Sequence, residues 1–246
     1  MLFGADRNVT HSVTGGGLAI QGHSQRPKVL KWPNETAIVG YVGLAQIEGR
    51  PTDEWLYSFI GRHLTPTNSE ELARALVDEL EAAIPESVRA VEPLVVHLGA
   101  FEQQDGHWVP KCWFIRNTLN LDYDTKADFD VSEELLLELP DRFGRFLPNK
   151  VRDAVGALSD SLDPFWFHQG YDLGTFNTLH AYLKEAFRLL IAQHPAHNRP
   201  QSLEEWTRHL RLTILTYGAY LEAFKTPFEH YVGGGVDVVS LAWPDS

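Results

Sequence analysis

The order of strand-like and helix-like segments is the feature that most constrains the fold of this chain. The first 45 residues hold several short runs rich in β-branched and aromatic residues, which predict strands. Two amphipathic helices are predicted next, over 52–64 and 70–84, each with acidic residues in its first turn. Strand patterns then return as a hairpin, because Asp105-Gly106 is a strong turn signal between two apolar runs.

A second pair of helices and a last strand complete this order. The helices are predicted over 175–193 and 202–224, and an alternating strand follows the glycines at 233–235. Two helix pairs separated by strands can cover the outer faces of two stacked sheets. We therefore expect an α+β fold, a four-layer α-β-β-α sandwich formed by a single domain over residues 1–246. Residues 117–168 show no pattern that fits this scheme.

The composition of the chain argues against nucleic acid and membrane as partners. The chain has 246 residues with 43% hydrophobic and 22% charged residues, which are ordinary values for a globular protein. Its formal net charge of −12 argues against a nucleic-acid partner, since phosphate binding needs a basic face. No apolar run approaches the roughly 20 residues of a membrane-spanning helix, so we expect no membrane partner. The single Cys112 excludes an intrachain disulfide, and we expect a cytoplasmic location.

Several short motifs lie along the first quarter of the chain and at its end. GADRNVT begins at Gly4, KVLKW at Lys28, VGYVGLA at Val39 and RPTDEWL at Arg50. GGGVDVVSLAW begins at Gly233. In this order they resemble the proteasome-like branch of the N-terminal nucleophile (Ntn) hydrolases. The resemblance covers nearly the whole chain in element order, and its motifs are specific over about forty residues and the last strand.

The resemblance implies a site and an activity. It makes Asp6 and Lys28 the acid and base beside a nucleophile, and Gly43 a backbone N–H donor of the oxyanion hole. Thr10 lies on the strand edge where such enzymes pair a peptide or amide substrate. The implied activity is that of a threonine-type peptidase or amidohydrolase without cofactor or metal, and a homo-oligomer is expected because family members often form rings.

Each of these residues also has a simpler interpretation. Judged on the local sequence alone, Asp6 and Arg7 are better explained as an exposed turn pair, and it is the joint order of the motifs that favours the site. Lys31 competes with Lys28 for the family's lysine position, and Lys28 is preferred because it precedes Val29-Leu30. Gly43 is also explained by a close approach of two backbones within a sheet.

The start of the chain departs from the family pattern. The family's nucleophile is the first residue of the mature chain, about a dozen residues before the Ala-Asp motif, whereas no Thr, Ser or Cys precedes Asp6. We therefore expect either a first strand with the nucleophile upstream of Met1, or a non-catalytic scaffold or assembly subunit. Without that strand the chain is expected to be catalytically silent, and poorly soluble or oligomeric. A serine expected before the final strand is also replaced, by Gly233.

Other candidate chemistry is weaker. Acids from Asp122 to Glu133 have the spacing of an EF-hand loop, but Lys126 stands at a ligand position and Ala127 replaces the required glycine, so a solvated acidic loop is expected. His194 and His197 fit no metal motif, and we expect no metal site. Cys112 is expected to be a buried apolar residue. The aromatic residues 165–167 fit either the core or a subunit contact.

Overall fold

The computed structural model describes residues 1–12, 20–64, 68–118, 124–133, 202–223 and 234–242, together with Pro200 and single positions between 179 and 193. Several predictions fall outside these residues: the histidines at 194 and 197, the aromatic run 165–167, the replaced serine position 233 and most of the segment 117–168. The described positions between 179 and 193 are helical, as predicted, but most of the predicted helix 175–193 lies outside the described residues.

The described residues form strands and helices in the following order. The strands are β1 (Leu2–Asp6), β2 (Asn8–Ser12), β3 (Ile20–Gln25), β4 (Val29–Lys31), β5 (Ala37–Gly43), β6 (Gln46–Ile47), β7 (Arg50–Pro51), β8 (Leu94–Gln104), β9 (His107–Thr118), β10 (Thr125–Glu133) and β11 (Val236–Ser240). The helices are α1 (Thr52–Arg62), α2 (Ser69–Ala83), α3 (Glu86–Arg89) and α4 (Leu203–Ala223).

Five strands form the main sheet, in the order β10-β9-β8-β5-β4, and each neighbouring pair is antiparallel. The β8–β9 hairpin turns at Asp105 and Gly106, where φ is 49° and 80°. Positive φ at both central residues is the turn geometry that an Asp-Gly pair favours. The predicted hairpin is therefore confirmed.

Helices α1 and α2 cover one face of this sheet. Asn68 caps α2, because its side-chain oxygen accepts a hydrogen bond of 2.7 Å from the Glu70 amide. Both helices bury an apolar stripe in one core with β5 and β8. This core includes Trp55, Leu56, Phe59, Leu72, Leu76, Leu80, Val39, Val96 and Leu98.

The opposite face of the sheet meets the two-stranded β1–β11 sheet. Leu2 pairs with Ser240 and Asp6 with Val236, so the two ends of the described chain lie side by side. Glycine makes this contact close, since a Cβ on Gly99 would lie 3.1 Å from Phe3 Cζ. Helix α4 packs on the other side of β1, where a Cβ on Gly4 would lie 2.8 Å from Leu210 Cδ2.

These contacts define a mixed α+β fold with antiparallel strand pairing. The expected acidic loop at 122–133 is wrong for most of its length, because 125–133 is β10. Phe129 of this strand is buried in the helix-side core, and Val131 packs against the same core. Within the described part of the chain, no helix is long and apolar enough to cross a membrane.

Candidate functional site

Asp6 and Lys28 meet where the β1–β11 sheet crosses the edge of the main sheet. Lys28 Nζ lies 3.1 Å from Asp6 Oδ1 and 3.3 Å from Asp6 Oδ2, so one ammonium spans both carboxylate oxygens. Each side chain is 14% exposed. The structure thus brings together the two residues to which the sequence assigned the acid and the base, in a largely buried position rather than an open turn.

Backbone pairing at the end of β1 positions Asp6. Asp6 is opposite Val236, and the next residue donates its amide to Gly235 O at 2.8 Å. Arg7 also donates from Nε to Asp237 Oδ2 at 2.8 Å and makes a second contact from Nη2. This two-point contact joins β1 to β11 at the site, so Asp6 is held by both its own strand and its neighbour.

Lys28 is positioned by the main sheet. Its carbonyl oxygen accepts a 3.0 Å hydrogen bond from the Tyr41 amide, which fixes the backbone just before β4. The following residue, Val29, pairs with Gly40. A Cβ on Gly40 would lie 3.4 Å from Phe3 Cδ2, so the absence of a side chain there lets β1 approach the start of β4. That approach places Asp6 within reach of the lysine.

Gly43 and Thr10 lie on other elements. Gly43 ends β5 with φ of 109°, and a Cβ there would overlap Pro93 O. Close backbone approach is therefore enough to require glycine at this position. Thr10 lies on β2, opposite His23 of β3, in a hairpin separate from the main sheet. The open end of the β2–β3 hairpin is bonded to the end of β1, because the Arg26 amide donates to Arg7 O at 2.9 Å.

Lys31 does not share the position of Lys28. Its ammonium lies 2.9 Å from Glu35 Oε1, a glutamate that is 70% exposed. Between the two candidate lysines, Lys28 is the one placed beside Asp6.

A second polar cluster borders the site, and the sequence did not single it out. Arg26 Nε donates to Asp53 Oδ1 at 2.6 Å, and Arg26 also pairs with Glu54. The hydrogen bond that Arg26 donates to the Asp53 carboxylate raises the pKa of Arg26 above its usual range. Asp53 is 3% exposed in the first turn of α1. The one available signal was the acidic helix start RPTDEWL, which indicates an N-terminus but not its partner.

Tyr41 connects this cluster to the pair. Its amide bonds Lys28, while its hydroxyl is buried and has no hydrogen-bond partner among the described residues. Burial raises the pKa of Tyr41, and the negative charge of Asp53 raises it further. The phenol therefore stays neutral over the physiological range.

The arrangement supplies a fixed ammonium next to a carboxylate, which can tune a neighbouring nucleophile or bind a negative charge. Among the residues whose side chains the structure describes, which exclude Thr10 and Ser12, Asp6 is the hydrogen-bond partner of Lys28 Nζ, and no hydroxyl or thiol bonds that atom. In the same part of the chain, no three His, Cys, Asp or Glu side chains cluster as metal ligands would.

We compared the chain with protein-family models, curated proteins and solved structures, and none of them matched it.

Proposed function

We propose that this chain has the four-layer α-β-β-α sandwich of proteasome-like Ntn hydrolases and that Asp6 and Lys28 serve amide-bond hydrolysis. The packing order supports the fold: α1 and α2 lie on one face of the main sheet, β1–β11 on the other, and α4 outside β1–β11. The Asp6–Lys28 contact supports the activity, because it joins two residues that the resemblance names for one site.

The chemistry of the proposal needs both members of the pair. A hydroxyl or thiol is a weak nucleophile until a nearby base accepts its proton. In this role the nucleophile's own free α-amino group accepts the proton, Lys28 holds that group in place and stabilises the deprotonated nucleophile, and Asp6 orients the lysine and balances its charge. The proposal further assigns an oxyanion-hole N–H to Gly43, a donor worth about 3 kcal/mol of barrier. It assigns main-chain pairing with a peptide substrate to the strand of Thr10.

A second candidate is a non-catalytic scaffold subunit with the same fold. The observation in its favour is the partner of Lys28: among the side chains that the structure describes, its ammonium bonds the Asp6 carboxylate and no hydroxyl or thiol. In this role the pair is a structural link between the β1–β11 sheet and β4.

Hydrolysis assays with a matched lysine control separate the two candidates. The protein is incubated with a panel of fluorogenic peptide amides and with a peptidyl β-lactone, which acylates activated hydroxyls. The hydrolase candidate predicts turnover and a covalent adduct, and it predicts that Lys28→Met lowers the rate by about 10²–10⁴-fold, the usual effect of losing a group that assists proton transfer. The scaffold candidate predicts neither turnover nor adduct, as expected for a chain without a nucleophile beside the pair. Lys31→Met removes a lysine three residues away that pairs with Glu35, and it is expected to leave the rate unchanged.

Each outcome favours one candidate. If the folded protein shows no turnover and no adduct, the hydrolase role is rejected and the scaffold role remains. Turnover that survives Lys28→Met would place the chemistry elsewhere in the chain.

A further inference from the structure

Helix α4 carries an apolar stripe on the side that faces away from the sheets. The residues on its inner side are buried, among them Leu210, Ile214, Tyr217 and Leu221. On its outer side Leu212 and Leu215 are 49% and 46% exposed.

Among the described residues, α4 carries several of the exposed large apolar side chains. Three of the nine large ones lie on α4, namely Leu203, Leu212 and Leu215, and the last two are about one turn apart. Clustered exposed apolar side chains mark an interaction surface more often than scattered ones do.

The charges along the outer stripe are arranged symmetrically about Leu215. Arg208 lies seven residues before Leu215 and Glu222 seven residues after it, and all three are exposed. Seven residues are two turns of a helix in a helix–helix contact, so these side chains share one face. The stripe therefore runs from the Glu204–Arg208 ion pair, over the apolar Leu212 and Leu215, to the acidic Glu222.

This pattern is complementary to itself in one orientation. When two copies of α4 lie antiparallel with Leu215 on the two-fold axis, Arg208 of each copy faces Glu222 of the other. Leu212 then faces Gly218, which has no side chain to block a close approach. A parallel arrangement would place Arg208 against Arg208 and Glu222 against Glu222, which is unfavourable.

We propose that the outer stripe of α4 binds the same stripe of a second copy, antiparallel, as a two-fold symmetric dimer. Closed symmetric contacts of this kind are the commonest among soluble oligomers. Arg208 also pairs with Glu204 of its own helix, so in the dimer its guanidinium would lie between that carboxylate and Glu222 of the other copy. One helix pair buries less than the roughly 1,200 Å² of a standard interface, so the dimer forms at concentrations on the order of 10–100 μM.

Sedimentation velocity over a concentration series tests the apolar centre. We expect the protein to shift from monomer to dimer, and Leu215→Glu to remain monomeric throughout. Leu64→Glu is the matched control, because Leu64 is 47% exposed but lies after α1. It is expected to dimerise like the wild type. Circular dichroism and the thermal midpoint check that both variants are folded.

Charge reversal tests the antiparallel register and does not depend on the leucine. Arg208→Glu and Glu222→Arg are each expected to weaken association about tenfold, since each makes two repulsive pairs per dimer. The double variant is expected to regain wild-type association. An equimolar mixture of the two single variants is expected to form heterodimers, because both cross-pairs are then attractive.

Three results would overturn the proposal. These are a wild-type protein that stays monomeric to several hundred micromolar, a dimer that Leu215→Glu leaves intact, and a double charge variant that associates no better than the single ones.

Discussion

Lys28 and Asp6 are each largely buried, so their pairing has a measurable effect on stability. Lys28→Met leaves the Asp6 carboxylate without its ammonium, and Asp6→Asn leaves the ammonium without its carboxylate. Stranding one charge of a buried pair costs about 3 kcal/mol of unfolding free energy. We expect the double variant to cost clearly less than the sum of the two, because neither charge is then stranded. Urea unfolding midpoints of the four proteins give the coupling energy.

An exposed ion pair provides the control for this cycle. Arg74 and Glu70 are four residues apart on α2, with side chains 63% and 47% exposed. Arg74→Gln is expected to change stability by less than about 1 kcal/mol, as exposed pairs usually do. A Lys28–Asp6 coupling energy no larger than the effect of Arg74→Gln would show that the pair is effectively solvated. The pair would then not be a pre-organised site.

The sequence could predict part of this site and not the rest. Asp6 and Lys28 were paired through the order of the surrounding motifs, and local sequence alone favoured an exposed turn for Asp6. The Arg26–Asp53 contact joins the end of β3 to the start of α1, and no local pattern reports a partner 27 residues away. For Gly43 the difficulty is different, because its motif matched but the match does not reveal why glycine is there. Its positive φ and the close approach of Pro93 O require glycine for structural reasons alone, so the match is not evidence for a catalytic role.

At the level of elements, Gly4 sets how closely α4 packs on β1. A methyl group added there would lie 2.8–3.0 Å from the side chains of Leu210 and Ile214. We expect Gly4→Ala to destabilise the protein by about 1–3 kcal/mol, since overpacking forces the helix away from the strand. Thermal or urea unfolding measures the change.

Gly61 is the matched control, because it lies within α1 and a Cβ there meets no atom within 4 Å. Gly61→Ala is expected to stabilise the protein by about 0.5–1 kcal/mol, the helix propensity difference between the two residues. If Gly4→Ala were as benign as Gly61→Ala, α4 would not pack on β1 as the structure has it.

Elements with a strong local pattern were the ones that sequence predicted well. α1 and α2 carry clear apolar stripes with capped or acidic starts, and the β8–β9 hairpin has its Asp-Gly turn. β10 was missed because its acidic residues dominate the pattern, while a single buried residue, Phe129, faces the core. The pairing of β1 with β11 joins opposite ends of the described chain, and no local signal specifies a partner at that distance.

At the level of the whole molecule, two apolar interiors lie on either side of the main sheet. One is the core between α1, α2 and the sheet, which includes Leu76. The other side is covered by β1–β11, against which α4 buries Ile214. Because the two interiors share only the sheet, a cavity in one is expected to loosen that side first.

Hydrogen exchange followed by mass spectrometry tests this division. Ile214→Ala is expected to speed amide exchange in β1 and β11 together, because the two strands hydrogen-bond only to each other among the described strands, while β5 and β8 keep their wild-type protection. Leu76→Ala is the reciprocal control: its cavity lies under β5 and β8, so these strands are expected to lose protection more than β1 and β11 do. Equal acceleration of all four strands in both variants would mean that the molecule opens only as a whole. In that case the β1–β11 sheet, with Asp6 at its end, would be an integral part of one cooperative core rather than a separately movable layer over Lys28.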